Sequence, residues 1–323
     1  MVDDLRELAA RSSVPVIGAP LFIASGTDLV IAQCRAGILG AFPALNAREP
    51  ETLDGWLTTI EQALAAARAE DPAAFLGPHG VNLIVHKSND RLARDVETVI
   101  EHRVPVVITS VGPPADFIGR IHAYGGKVLH DVVNLRHARK ALDAGVDGLV
   151  LVAAGAGGHA GTMSPFALMD EVRALWEGPV ALAGAISNGR QVRAARVLGA
   201  DFAYLGTRFI ATPEASARPG HPETIVASTM ADVTYTPHFS GIPGSYLTKS
   251  IVASGLDPAD LLLPGQKRPE GGYKAGHKRP KAWSQVFSAG QGVGGIDAIE
   301  PVADVVERLR EEYDAAGRPG PTS

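Results

Sequence analysis

One histidine lies in a glycine-rich stretch that could carry chemistry. Residues 154–162 read Ala-Gly-Ala-Gly-Gly-His-Ala-Gly-Thr, so His159 directly follows Gly158 and comes shortly after Ala154. Histidine can hold or release a proton near neutral pH, which suits it to general-base catalysis. Glycine permits a positive φ and the close approach of a flat ligand. The stretch indicates either a histidine base beside a planar group or a structural histidine that bonds to a loop carbonyl.

Two other short stretches have the composition of anion-binding turns. One contains Gly184 and Ala185, and the other contains Gly206 and Thr207. Small residues let backbone N–H groups approach an anion, and the N-terminus of a following helix adds partial positive charge. Together the stretches predict a phosphate site, and the alternative is a pair of tight turns that bind nothing.

Polar or small residues also end other apolar runs. Ala19-Pro20-Leu21 follows the first run, and Asn82 lies in the third. A backbone edge and an amide can pair with the hydrogen-bonding edge of a flavin ring, although Asn82 could equally cap a turn. The pairs Thr109-Ser110 and His130-Asp131 end the fourth and fifth runs, and we expect both to point at the same place. Asp131 could orient a histidine, contact a ribityl chain or satisfy loop amides.

Eight short apolar runs, alternating with helix-period segments, must position these residues. The runs are apolar nearly throughout, which is typical of strands buried on both faces of a parallel sheet. They span residues 14–19, 37–42, 80–85, 105–110, 127–132, 148–153, 179–184 and 202–207, with helical segments at 51–70, 90–103, 135–143 and 191–198. Eight such units predict a (β/α)₈ TIM barrel, whose active site forms at the carboxyl ends of its strands. The two anion-binding turns then follow strands seven and eight, where such barrels often hold a phosphate.

The alternation stops after residue 212. We predict that residues 1–212 and 281–323 form the barrel, with a closing helix over 301–313. Residues 213–280, rich in Pro and Gly, predict an insertion after strand eight that covers the barrel mouth and forms part of the substrate pocket. The basic run at 267–281 is interpreted as a solvated surface loop. A flap that meets an anionic substrate is the alternative.

Composition excludes several classes of protein. The net charge of −5 gives no reason to expect binding to nucleic acid or to an anionic membrane. Cys34 is the only cysteine, so an intrachain disulfide and a cysteine-built metal site are excluded. Cys34 itself is interpreted as a small buried hydrophobe. The histidines lack the paired spacing of metal sites, and no G-x-S-x-G pattern occurs. Without a signal peptide or a membrane-length apolar run, we expect a soluble cytoplasmic protein.

Taken in order along the chain, these stretches resemble the nitronate monooxygenase family. The matching stretches are Ala19-Pro20-Leu21, Gly80-Val81-Asn82-Leu83, Gly157-Gly158-His159-Ala160-Gly161, Ala183-Gly184-Ala185-Ile186, Leu205-Gly206-Thr207 and Gly290-Gln291-Gly292. The resemblance implies FMN in a TIM barrel and oxidative denitrification of alkyl nitronates with O₂ to carbonyl compounds and nitrite. It implies that His159 serves as base toward neutral nitroalkanes or positions the anionic nitronate.

The cofactor-binding residues predicted on this basis fall into two groups. The phosphate side comprises Gly184, Ala185, Gly206 and Thr207. The ring and its surroundings comprise the remaining positions, which are Ala19, Pro20, Leu21, Asn82, Asp131, Ala154, Gly158 and Gln291. No metal ligand is predicted, and a homodimer is left open.

Two departures from the family pattern bear on the contacts near one side of the flavin and on substrate preference. Many members have a lysine where this chain has Asp131, and the tyrosine-rich pocket segment is represented only by the candidates Tyr235, Tyr246 and Tyr273. The flavin-dependent enoyl-ACP reductases share the barrel and a similar histidine loop, so an NAD(P)H-dependent flavin reductase is the first alternative. A flavin-free lyase or isomerase acting on a phosphorylated substrate is the second, and a non-catalytic flavin-binding protein is the third.

Overall fold

Eight parallel strands close into a barrel, as the sequence predicts. The computed structural model describes residues 2, 4–49, 51–114, 116–266 and 285–317. Its strands in chain order are β1 (Val16–Gly18), β2 (Leu39–Pro43), β3 (His79–Val85), β4 (Val106–Val111), β5 (Lys127–Val132), β6 (Gly148–Val152), β7 (Gly158–His159), β8 (Val180–Ala183), β9 (Phe202–Leu205), β10 (Val233–Thr236) and β11 (Gly244–Leu247). The barrel order is β1-β2-β3-β4-β5-β6-β8-β9, and β1 pairs with β9 to close it. The predicted TIM barrel is therefore confirmed.

A helix lies between each pair of consecutive barrel strands, and further helices precede and follow the barrel. They are α1 (Leu5–Arg11), α2 (Thr27–Arg35), α3 (Thr52–Glu70), α4 (Leu92–Glu101), α5 (Ile118–Ala123), α6 (Leu135–Asp143), α7 (Pro165–Leu175), α8 (Gly189–Val197), α9 (Thr207–Ile210), α10 (His221–Val226), α11 (Thr248–Ala253) and α12 (Val302–Ala316). Short 3₁₀ turns occupy Ala44–Asn46, Met230–Asp232, Pro258–Asp260 and Gln291–Gly295. Side-chain caps set some of the boundaries, because Asn188 and Gln191 form a capping box that starts α8.

The barrel strands bury both faces, which explains their unbroken apolar sequence. Alternate residues such as Ile17 and Ile108 fill the barrel interior, whereas Val16 and Val107 pack outward against the helices. The amino-terminal helix α1 belongs to the interior cluster through Leu5. This short helix was missing from the predicted elements, because seven residues carry too little periodicity to separate a helix from a polar leader.

A second, three-stranded sheet has the order β10-β11-β7 and was also missing from the predicted elements. In it, Gly244 pairs with His159 and Ser245 pairs with Gly158. A Cβ on Gly244 would lie 2.8 Å from the carbonyl oxygen of Gly158, so this strand pair needs glycine there. Strands of two to four residues are too short to show the alternation that identifies a strand from sequence.

The segment after the barrel contributes α10, α11, β10 and β11 within residues 213–266. Its role as an insertion that forms part of the substrate pocket stays a prediction. The basic run at 267–281, with Tyr273, lies outside the described residues. No helix within the described ranges combines the length and apolar character required to cross a membrane.

Candidate active site

Three strand corners and a late segment of the chain are joined by backbone hydrogen bonds at the carboxyl ends of the strands. The carbonyl oxygen of Gly155, after β6, accepts from Ala185 N–H at 3.2 Å and from Gln291 N–H at 2.9 Å. Gly290 N–H donates to Thr207 Oγ1, after β9, at 2.9 Å. The glycine-rich stretch around His159 (residues 154–162, the histidine loop) and both predicted anion-binding turns therefore meet at one place, together with Gln291.

Close backbone contact explains the small residues at these corners. Gly184 has a φ of +139°, and a Cβ there would lie 2.7 Å from the carbonyl oxygen of Ala154. A Cβ on Gly206 would lie 3.0 Å from Leu21 Cδ2. Ala185 adopts a positive φ of 54°, which is uncommon for a residue with a side chain. Backbone strain of this kind concentrates at functional sites.

Hydrogen bonding within the protein limits which groups at these corners can bind an anion. The amide of Ala185 is used by Gly155, so Ala185 contributes its backbone shape and not its N–H group. The hydroxyl of Thr207 accepts from Gly290 N–H and keeps its own proton for another acceptor. Thr207 can therefore donate to an anion from the position that the sequence predicted.

The next residue, Arg208, is buried and serves a structural purpose. It donates to Glu300 Oε2 at 2.9 Å and to the carbonyl oxygen of Ala298 at 3.2 Å. Burial, together with repulsion from Arg308, lowers the pKa of Arg208 to about 10, so it stays charged at neutral pH. This ion pair ties the corner after β9 to the chain before α12.

The histidine loop is held by serine hydroxyls that sequence reasoning missed. Gly158 N–H donates to Ser288 Oγ at 2.7 Å. His159 Nε2 lies 2.9 Å from Ser240 Oγ, which itself donates to the carbonyl oxygen of Ile242 at 2.9 Å. Because a hydroxyl has one proton, Ser240 accepts from His159, and the imidazole carries its proton on Nε2. Partial burial lowers the pKa of His159, so the ring is neutral near pH 7.

More distant side chains fix this loop in turn. Tyr235, in β10, donates its hydroxyl to the carbonyl oxygen of Ala160 at 2.7 Å. His221 Nε2 lies 2.9 Å from the carbonyl oxygen of Ser288 and, with a pKa lowered by burial to about 4, donates to it as a neutral ring. Among the tyrosine candidates, Tyr235 thus contacts the histidine loop. Tyr246 is fully buried and packs edge-on against Phe239, with ring centroids 4.8 Å apart.

The loop after β1 is internally bonded, which changes the part its backbone can play. Ala19 N–H donates to the carbonyl oxygen of Leu205 at 2.8 Å, and Leu21 N–H donates to Ser25 Oγ at 2.9 Å. Asn46 Nδ2 donates to the carbonyl oxygen of Leu21 at 2.9 Å. The amides expected to pair with a ring edge are therefore occupied. The side chains of the buried Ala19 and of the half-buried Pro20 and Leu21 are apolar.

A polar layer lies inside the barrel below its mouth. Asn82 Nδ2 donates to Ser110 Oγ at 2.8 Å, and Ser110 Oγ donates to Asp131 Oδ2 at 2.6 Å. The other carboxylate oxygen, Asp131 Oδ1, is buried and has no hydrogen-bond partner among the described residues. Burial raises the pKa of Asp131 to about 6, against the opposing effect of the Ser110 hydrogen bond. Two predicted cofactor-binding residues, Asn82 and Asp131, are thus brought together.

Only one member of each predicted polar pair at the ends of β4 and β5 belongs to this layer. Thr109 Oγ1 lies 2.7 Å from His130 Nδ1, and both residues are buried. Because successive side chains alternate across a strand, they point away from the interior that Ser110 and Asp131 face. The expectation that all four residues point at the mouth was wrong for Thr109 and His130.

No cluster of three or more His, Cys, Asp or Glu side chains that could hold a metal ion occurs within the residues that the structure describes. Cys34 lies in α2 and is fully buried, and burial raises the pKa of its thiol to about 12. A thiol in this state is protonated at neutral pH and is not a nucleophile.

Comparisons with known proteins match this architecture. A family model described as nitronate monooxygenase matches residues 57–312. The nitronate monooxygenase of Paraburkholderia phytofirmans is 31% identical over 278 residues, covering 76% of this chain and 76% of that protein. The (3aS,4S,5R,7aS)-5-hydroxy-7a-methyl-1-oxo-octahydro-1H-indene-4-carboxyl-CoA dehydrogenase of Mycobacterium tuberculosis is 28% identical over 243 residues, covering 74% of this chain and 64% of that protein.

A solved structure resembles the whole chain. FabK from Thermotoga maritima has a TM-score of 0.75 and 26% identity, covering 96% of both chains. The chain spans 63–64% of the length of several other curated relatives that it matches.

Proposed function

The chain belongs to the nitronate monooxygenase family, and we propose that it is an FMN-dependent nitronate monooxygenase. The proposed reaction is oxidative denitrification of an alkyl nitronate with O₂ to a carbonyl compound and nitrite. One observation carries the proposal: Ala185 N–H donates to Gly155 O at 3.2 Å. This bond sets the corner after β8, predicted to bind phosphate, against the loop that presents His159.

Residues at the barrel mouth fit FMN. Thr207 keeps its hydroxyl proton for a phosphate oxygen, and Gly184 and Gly206 place no side chain between the backbone and an anion. The unpartnered Oδ1 of Asp131 offers a buried polar atom to the heterocyclic edge of the ring. When bound, FMN would supply the redox chemistry, accepting electrons from the nitronate and passing them to O₂.

His159 acts as the general base toward a neutral nitroalkane and then stabilises the negative charge of the nitronate. The neutral imidazole of His159 is the group proposed to take a proton from the α-carbon of a neutral nitroalkane. Its protonation gives an imidazolium beside the nitronate oxygens, which stabilises their negative charge. A nitronate supplied preformed needs no proton removal.

The test compares the two substrate forms. The FMN-loaded enzyme is mixed anaerobically with a small alkyl nitronate while flavin absorbance is followed, and air is then admitted and nitrite is measured. We expect bleaching, then reoxidation with release of nitrite. His159→Asn should lower turnover on the neutral nitroalkane far more than turnover on the preformed nitronate, because only the former needs a base.

A matched control uses a histidine on the outer helices. His122, in α5, lies 2.8 Å from Asp147 and is away from the mouth, so His122→Asn should leave both activities unchanged. Equal losses on both substrate forms in His159→Asn would contradict the base role. A flavin that no nitronate bleaches would contradict the proposed reaction.

An NAD(P)H-dependent flavin reductase is the second candidate, because one curated relative is a dehydrogenase of a carboxyl-CoA substrate. Steady oxidation of NADPH in the absence of any nitronate would favour it. Under the main proposal, NADPH is oxidised no faster with the enzyme than with free FMN.

A further inference from the structure

Two buried polar atoms inside the barrel have no partner among the described residues. They are Asp131 Oδ1, on β5, and the hydroxyl oxygen of Tyr204, on β9. Tyr204 is more than nine-tenths buried, and its ring belongs to the cluster that fills the barrel interior. An unpartnered polar atom in such a place destabilises the protein, so its presence points to a ligand that supplies the partner.

Both residues lie near the carboxyl ends of their strands, with side chains on the interior face of the barrel. Asp131 is the second-last residue of β5, Tyr204 of β9 and Ser110 of β4. The charge of Asp131 acts on Tyr204, because, after burial, it is the cause that raises the pKa of the phenol well above its ordinary value. The two groups therefore sense each other across the interior, directly below the corners assigned to the cofactor.

Few other groups can influence this carboxyl. Ser110 contributes a hydrogen bond from β4, and Asn82 from β3 holds Ser110 in place. The interior face of β6, the other neighbour of β5, carries Val150 and Val152, which are apolar. Apart from burial, Ser110 is the only group that shifts the pKa of Asp131, so no charged side chain in the described residues neutralises it.

We propose that Asp131 and Tyr204 face the polar edge of the bound FMN ring and couple its reduction to uptake of one proton by the Asp131 carboxyl, which rests on the proposed function. Electrons from the nitronate add negative charge to the ring. A carboxylate anion beside that charge binds a proton from water, because two like charges at close range disfavour each other. Asp131 thus acts on the cofactor and not on the substrate.

The sign of the effect is fixed by charge. When Asp131 is ionised, its negative charge opposes electron transfer to the ring and lowers the reduction potential. When it is protonated, that effect disappears. An isosteric amide at position 131 should therefore raise the potential at alkaline pH and leave it unchanged at acid pH.

The experiment measures the midpoint potential of the bound FMN by spectroelectrochemistry at a series of pH values, for the wild type and Asp131→Asn. We expect the two curves to coincide at acid pH and to separate as pH rises through the titration of Asp131. Ser110→Ala removes a donor that stabilises the carboxylate, so the separation should begin at higher pH.

Tyr124→Phe is the matched control, because Tyr124 donates to the carbonyl oxygen of Val104 outside this layer and should leave the potential unchanged. Parallel curves for the wild type and Asp131→Asn, with FMN bound to both, would overturn the inference, as would a protein that binds no FMN. If the potential curves of the wild type and Asp131→Asn separate with rising pH but the protein is inactive on nitronates, the inference about Asp131 stands and the proposed reaction is refuted.

Discussion

Replacing Gly184 by alanine should damage the corner after β8 in two ways. The φ of +139° at this position is one that residues with a side chain rarely adopt, and strain of this kind costs about 1–3 kcal/mol. The new Cβ would also lie 2.7 Å from the backbone oxygen of Ala154, which cannot move without moving the histidine loop. Overpacking of a fixed contact typically costs about 1–3 kcal/mol more. We expect a total loss of about 2–6 kcal/mol, the sum of the two ranges.

Two glycines provide controls for the separate causes. Gly145 has a φ of +86° and open space where an added Cβ would lie, so Gly145→Ala isolates strain and should cost about 1–2 kcal/mol. Gly55 lies within α3, also in open space, so Gly55→Ala should stabilise the helix by up to about 1 kcal/mol. Urea unfolding monitored by circular dichroism measures each change.

The same three variants are then titrated with FMN by flavin fluorescence. Only Gly184→Ala should weaken FMN binding, because only its contact displaces a corner that is proposed to face the cofactor. If Gly184→Ala matches Gly145→Ala in both stability and FMN affinity, the close approach of Gly184 to Ala154 does not restrict the corner, and the reasoning fails.

Three other predictions concern single side chains. Ser240→Ala removes the hydrogen-bond acceptor for His159 and should slow the turnover of neutral nitroalkanes by about 2- to 10-fold, the effect of one hydrogen bond of about 0.5–1.5 kcal/mol. Steady-state assays should show no change in the turnover of preformed nitronates. An equal loss on both substrate forms would contradict this role of Ser240. Burial lowers the pKa of His102, but the hydrogen bonds that its ring donates to two carboxylates of α3 raise the pKa overall. A pKa that is raised in the folded state gives stability that is complete below the unfolded-state pKa and is lost as pH rises through the folded-state pKa. The difference in urea midpoint between the wild type and His102→Gln should therefore shrink as the pH becomes alkaline. A difference that stays constant with pH would refute the ion pairing. Cys34, with a pKa near 12, should react with iodoacetamide only in the unfolded protein, and rapid labelling of the native protein would show that its burial is incomplete.

Local pattern was sufficient to predict the barrel. Parallel strands buried on both faces keep an apolar sequence that needs no knowledge of distant partners, so β5 was predicted at its observed bounds, Lys127–Val132. The helix α6 was predicted over its full length for the same reason, since its apolar spacing is local. The meeting of the corners after β6, β8 and β9 then followed from the geometry of the barrel.

Hydrogen-bond partners far apart in the chain could not be predicted. Ser240 is 81 residues from His159, and Ser288 is 130 residues from Gly158. Each is an ordinary serine in a loop, with no local spacing that marks it. The occupied amides of Ala19 and Leu21 illustrate the same limit, because a sequence shows which groups can bond and not which partner has already taken them.

The bonds made by Gly290 and Gln291 have a consequence for the order in which the mouth can be assembled. The corners that these residues tie together, at Gly155 and Thr207, are synthesised long before them. A nascent chain can complete all eight of its barrel strands while these corners still lack their bonds to the late segment. The mouth of the barrel therefore acquires its final shape late in translation, and under the proposed function FMN is bound only after Gly290 and Gln291 have been synthesised.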